Sequence, residues 1–80
     1  MKKQWVYKYG QNTILVENTW FNGERLFVNG ELQHENNGWE FNAILWGRLD
    51  SGEEIKVSLG GNFSIKCSLF IDNKLQTPQK

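Results

Sequence analysis

Leu26-Phe27-Val28-Asn29-Gly30-Glu31-Leu32-Gln33 returns forty-three residues later as Leu69-Phe70-Ile71-Asp72-Asn73-Lys74-Leu75-Gln76. Each stretch runs Leu-Phe-aliphatic, then a turn pair, then a charged residue followed by Leu-Gln. A two-residue hairpin turn of type I′ needs positive φ at both central positions, which Gly and Asn tolerate, and Asp to a lesser degree. Both stretches therefore read as β-hairpins of the same build. Convergence on hairpin geometry and internal duplication account for the echo about equally well. On either account the two hairpins are expected to be structurally equivalent, one in each of two sheets.

The same punctuation extends along the chain. Breaks fall at Gly10 to Asn12, Asn22-Gly23, Asn36 to Gly38, Asp50 to Gly52 and Gly60 to Asn62, besides the two hairpin turns, and define about eight strands. Ile55, Val57 and Leu59 alternate with Glu54, Lys56 and Ser58, while Phe63, Ile65, Cys67, Leu69 and Ile71 alternate with Ser64, Lys66 and Ser68. A pleated strand sends successive side chains to opposite faces, so each segment has one dry face and one wet one. Trp39, Phe41, Ala43 and Leu45 share one face of the long middle run, against Glu40, Asn42, Ile44, Trp46 and Arg48. Further upstream, Ile14, Val16 and Trp20 fall on one parity, and Trp5, Tyr7 and Tyr9 on another. No window sustains apolar residues at helical spacing. The expected fold is all-β: an antiparallel β-sandwich or flattened barrel of about eight strands, mostly an up-and-down meander with tight hairpins. Residues 1–77 form one domain in this reading, and 78–80 a frayed tail.

Eighty residues make one small domain. At that length folding hides only about 60% of the surface that the unfolded chain exposes, so each buried group counts. Hydrophobic residues at 39% and four Trp indicate a packed domain rather than a disordered one. Nine Lys and Arg balance nine Asp and Glu, which leaves no net field to gather nucleic acid or anionic lipid. A single Cys allows no internal disulfide, and no apolar stretch follows Lys2 and Lys3. The chain reads as reduced and cytoplasmic. No apolar run approaches the roughly 18 residues of a membrane span, so no membrane partner is expected.

Three segments resemble the β-sandwich domain of the Fas apoptotic inhibitory molecule family: Gly23-Glu24-Arg25-Leu26-Phe27-Val28-Asn29-Gly30, Glu54-Ile55-Lys56-Val57-Ser58-Leu59, and Cys67-Ser68-Leu69-Phe70-Ile71-Asp72-Asn73-Lys74. The resemblance covers roughly residues 10 to 76. The chain departs from the family with Asp-Asn in place of Asn-Gly in its closing turn, and it is shorter between Gly38 and Glu53. What the resemblance implies is a two-sheet antiparallel sandwich with a non-enzymatic interaction role, anti-apoptotic and protective against aggregation.

Few residues could carry chemistry. Cys67 and His34 are the only thiol and the only imidazole, hence the sole nucleophilic pair available. Cys67 shares the parity of Leu69 and Ile71, where a thiol behaves as a small inert hydrophobe, and His34 lies beside a turn. One His and one Cys fall short of a zinc set, so no metal is expected, and no cofactor either. Asp50, Glu53 and Glu54 flank a turn where charge stays hydrated. Gly60-Gly61-Asn62 reads as a turn, and Asn62-Phe63-Ser64 as an accidental glycosylation match. No nucleophile, base and oxyanion partner occur together, and the chain is expected not to be an enzyme.

What remains is an apolar set on the wet side of the strands. Phe27 and Phe70 hold matching places in the echo and point away from their aliphatic neighbours, while Ile44 and Trp46 point away from Leu45. Exposed together, Phe27, Ile44, Trp46 and Phe70 would form an apolar patch of the kind that binds a protein partner or a second copy. Should they instead fill the core, their alternates pack outside. Two other classes stay open: carbohydrate binding through Trp5, Trp20 and Trp39, and, less favoured because the chain is neutral, single-stranded nucleic acid stacked on Trp5, Tyr7 and Tyr9 beside Lys8. Whether Leu45 or Trp46 is buried decides the polarity of the sheet.

Overall fold

A computed structural model describes residues 2–19, 23–37, 42–61 and 64–79. Eight strands follow in chain order: β1 (Lys2–Tyr9), β2 (Asn12–Thr19), β3 (Gly23–Val28), β4 (Glu31–Asn36), β5 (Asn42–Arg48), β6 (Glu54–Gly60), β7 (Lys66–Ile71) and β8 (Lys74–Leu75). They form two four-stranded antiparallel meanders, β1-β2-β3-β4 and β5-β6-β7-β8. The all-β, up-and-down reading of the sequence holds. Local hairpins suffice for such a topology, because each strand pairs with the one just made.

Both echo hairpins form, one in each sheet. Asn29 and Gly30 take φ of 51° and 85°, and Asp72 and Asn73 take 48° and 66°, as type I′ turns demand. The likeness reaches beyond the turns. Asn29 donates its N–H to the Thr13 carbonyl (2.8 Å) and accepts the Thr13 N–H on Oδ1 (2.9 Å). Asp72 does the same to Glu54, at 2.9 Å in both directions. In each sheet, then, the first turn residue brackets the start of the strand behind it.

One core lies between the sheets. The first supplies Tyr7, Ile14, Val16, Leu26 and Val28, the second Ala43, Leu45, Ile55, Val57, Leu59, Leu69 and Ile71, and Leu49 closes one end. Trp5, Tyr9, Ile65 and Cys67 pack against them. These side chains come from one parity of each strand, so the period of two in the sequence becomes a dry interior. Burial is not wholly apolar: Glu24 is 5% exposed and its Oε2 accepts from Asn18 Nδ2 at 3.0 Å. Gly23, which opens β3 at φ 73°, permits the close pass of the chain there, since a Cβ would sit 1.9 Å from the Asn36 carbonyl oxygen.

Side chains, rather than a shared ladder, fasten β4 to β5. The β3–β4 register slips between Leu26 and Phe27, whose partners are His34 and Leu32, so Gln33 is the extra residue of a bulge. A bulge re-aims its residues, and here Gln33 and His34 both reach the edge of β5. Gln33 Oε1 accepts the Arg48 N–H at 2.8 Å and its Nε2 donates to the Arg48 carbonyl at 3.0 Å, while His34 Nδ1 accepts the Trp46 N–H at 2.8 Å. Gly47 makes room for this clamp. A Cβ there would lie 2.6 Å from Gln33 Oε1 and 2.9 Å from Leu26 Cδ2. Across the molecule, Tyr7 Oη donates to Cys67 Sγ at 3.3 Å, and the Gln79 N–H donates to the Val6 carbonyl at 2.7 Å, which ties the C-terminal segment to β1.

Candidate functional site

Leu45 is fully buried and Trp46 is 48% exposed, which settles the polarity of β5. The outer face of the second sheet is therefore the one that bears Ile44 and Trp46. Register then builds the site row by row. Trp46 opposes Lys56, Lys56 opposes Phe70, and Phe70 opposes Leu75, so one transverse row crosses all four strands. Ile44 lies in the next row, opposite Ser58, which opposes Ser68. Ile44 and Leu75 are exposed at 49% and 65%, while Phe70 is half-buried between its neighbours. Adjacent strands lie about 4.8 Å apart, so the Trp46-to-Leu75 row spans roughly 14 Å.

Among the described residues the charge on this face is positive. Lys56 interrupts the apolar row and holds its Nζ 5.6 Å from the centre of the Trp46 ring, within reach of the ring's negative face. Lys66 stands at one end of the face, and at the other Arg48 Nη2 lies 3.9 Å from Glu54 Oε2. That carboxylate is already partnered, which leaves Lys56 and Lys66 unbalanced among the described residues of this face. The arrangement suits apolar contact flanked by negative charge.

Phe27, the fourth residue of the expected patch, lies elsewhere. It stands half-buried on the outer face of the first sheet, in a row that runs Val6, Leu15, Phe27, Leu32. The two rows are counterparts: Phe27 and Phe70 hold equivalent places on opposite sides of the molecule. The patch is thus Ile44, Trp46 and Phe70 joined by Leu75, and Phe27 belongs to a second surface with exposed Leu32. Grouping Phe27 with Phe70 in one patch conflicts with the placement of their hairpins in separate sheets, which the echo itself implied. Leu75 went unnoticed, although its place in the echo, five residues beyond Phe70 as Leu32 is beyond Phe27, was a usable signal.

The remaining candidates disperse. His34 is engaged with the Trp46 amide and Cys67 with Tyr7, so no hydrogen bond joins the thiol to the imidazole. Burial pushes the Cys67 thiol up from its ordinary value, with the Tyr7 hydrogen bond pulling the other way. Burial likewise pushes the Tyr7 phenol up, helped by the hydrogen bond and by the charge of Cys67. Both stay protonated and unreactive near neutrality. Glu53 accepts from the Ser51 hydroxyl, and Asp50 is exposed in the turn. Among the described residues, no three His, Cys, Asp or Glu side chains are grouped to hold a metal ion. Tyr7 is core, and Trp5 and Tyr9 pack against the core, so these three rings face inward while Lys8 is exposed on the other face of β1. Trp20, Trp39, Phe41, Asn62 and Phe63 lie outside the described residues. Among the described residues, no helix is long and apolar enough to cross a membrane.

Fold and face together define a small antiparallel two-sheet domain with an apolar, cationic outer surface. Protein-family models, curated proteins and solved structures give no match to this chain.

Proposed function

We propose that the chain is a non-enzymatic binding module that recognises a partner protein through the outer face of its second sheet. One observation carries the reading: Trp46 and Ile44 are half-exposed on a strand whose alternate residues, Ala43 and Leu45, are buried, so the aromatic and aliphatic groups beside them are surplus to the core. Exposed apolar clusters of this kind mark association surfaces, and Trp is prominent among residues that dominate binding energy. Ile44 and Leu75 favour protein over sugar or nucleic acid, because sugars and bases stack on rings and gain little from branched aliphatics. An interaction role is also what the likeness to Fas apoptotic inhibitory molecule domains implies.

The test separates binding from folding. Trp46→Ser and Phe70→Ser are expected to abolish retention of a protein partner by the immobilised chain while leaving the far-ultraviolet dichroism of a β protein unchanged. A partner that is retained undiminished by both variants would sink the reading. So would loss of binding in Phe27→Ser alone, which would move the site to the first sheet.

A further inference from the structure

We propose that β1 is a self-association edge, to which a second copy adds its own β1 antiparallel after displacing the C-terminal segment that now guards it. The inference concerns the opposite side of the molecule from the β4–β5 seam and stands or falls apart from the binding face.

β1 is eight residues long and, among the described strands, pairs only with β2. Its hairpin closes on Tyr9 and Asn12, and Val6 gives its carbonyl to Gln79 rather than to β2. In an antiparallel ladder the outward backbone groups belong to alternate residues, so Gln4 and Lys8 also turn theirs away from β2. The edge at the far end of this sheet is the bulged β4, engaged with β5 through Gln33 and His34. On the β1 edge, among the described residues, a single backbone bond from an exposed tail stands guard. A long strand edge is a template for another strand, and the Gln79 N–H on the Val6 carbonyl shows that this edge is open to a backbone donor.

Like-charge repulsion narrows the register, and the Val6 centre is the one that places the freed Val6 carbonyl at the two-fold axis. Two-fold pairing centred on Val6 sets Gln4 against Lys8 of the second copy, Trp5 against Tyr7 and Lys3 against Tyr9, and no lysine opposes another. Centring on Trp5 would set Lys2 against Lys8, and centring on Lys8 would set that residue against itself; like charges directly opposite are destabilising. In the Val6 register the outer row Leu32, Phe27, Leu15, Val6 runs on into Val6, Leu15, Phe27, Leu32 of the second copy. One apolar row would then cross eight strands, and the two-fold axis makes the interface self-complementary.

The Val6 carbonyl cannot serve both the tail and a second copy, so freeing it is the test. Gln79→Pro removes the guarding N–H in the 80-residue chain. By sedimentation, this variant is expected to self-associate about tenfold more tightly than the wild type, the equivalent of one net hydrogen bond. Placing Val6→Lys on that background is expected to return the monomer, because it sets two lysines face to face without touching the β2 ladder. Gln4→Lys, which would face Lys8, is expected to weaken association in the same direction. A Gln79→Pro chain with native dichroism that associates no more than the wild type overturns the proposal, as does association that survives Val6→Lys.

Discussion

The hairpins β3–β4 and β7–β8 are built from one phrase and end differently. Up to Leu32 and Leu75 they match in turn geometry, in the Phe–Leu pair on the outer face, and in the bracket that Asn29 and Asp72 put on the preceding strand. Then Gln33 continues into His34-Glu35-Asn36, while Gln76 is followed by Thr77-Pro78. Proline has no N–H to extend a ladder, so β8 stops at two residues and β4 reaches six. Gln33 fastens the two sheets together. Gln76 donates its N–H to Leu69 and its side-chain amide to Lys74, both within its own hairpin. The same local sequence becomes a seam in one sheet and an end in the other, and the residues that follow decide which.

The largest effects should show the hairpins as equals. Leu26 and Leu69 hold equivalent places and are both fully buried. Leu26→Ala and Leu69→Ala are each expected to cost about 2–5 kcal/mol in denaturant unfolding, from lost burial plus the cavity left behind. A marked inequality would mean that the echo is one of letters and turns only, with the core leaning on one sheet.

The next effect should separate them. Gln33→Ala removes two hydrogen bonds to Arg48 and is expected to cost about 1–2 kcal/mol, whereas Gln76→Ala should stay within about 0.5 kcal/mol. Gly47→Ala drives a methyl group into the same amide. If Gly47 is there to admit Gln33, the double variant Gln33→Ala with Gly47→Ala will be less destabilised than the two single changes added together. Strict additivity would show that Gly47 serves Leu26 packing instead.

These residues also mark how far the sequence could be read. Asn-Gly and Asp-Asn revealed both hairpins because few residues accept their backbone angles, and the alternation around Ile55 and Leu69 revealed the dry faces. Local signals of this kind survive without a structure. The bulge at Gln33 does not show, because it exists only where Gly47 of another sheet lets the chains approach; an isolated Gly inside an apolar strand was its one trace. The split of Phe27 from Phe70 was implicit in the echo, which puts one hairpin in each sheet; what the sequence lacked was the register that brings Leu75 beside Phe70.

The side of the molecule opposite the seam offers a third comparison, with pH as the probe. There the sheets touch through Tyr7 and Cys67, whose proton affinities are both raised by burial. The unfolded chain releases these protons near their ordinary values of 9.0 and 10.0, while the folded chain retains them. The unfolded state thus binds fewer protons above pH 9, and stability falls as pH rises past that point. Denaturant midpoints from pH 8 to pH 11 are expected to decline, and more gently in Tyr7→Phe. A Tyr7→Phe profile parallel to that of the wild type would place the alkaline sensitivity in other groups.

A small expected change in stability falls on Lys56, and it bears most directly on the surface. Lys56 is the counterpart of Leu15: each stands second in an outer row, Leu15 between Val6 and Phe27, Lys56 between Trp46 and Phe70. In the first sheet the place is aliphatic; in the second it holds a cation over a ring. Lys56→Leu gives up a cation–π contact worth about 0.5–1 kcal/mol at an exposed site and gains apolar contact of similar size, so the unfolding free energy should move by less than about 1 kcal/mol. Association should respond differently. With the lysine present, two copies of this face cannot stack without bringing like charges together; without it, Ile44, Trp46, Phe70 and Leu75 become one uninterrupted apolar surface. Light scattering is expected to show self-association of Lys56→Leu, relieved by Trp46→Ser. A chain that stays monomeric as Lys56→Leu would mean that the row is too narrow to drive association by burial alone, and that Lys56 serves Trp46 rather than keeping copies apart.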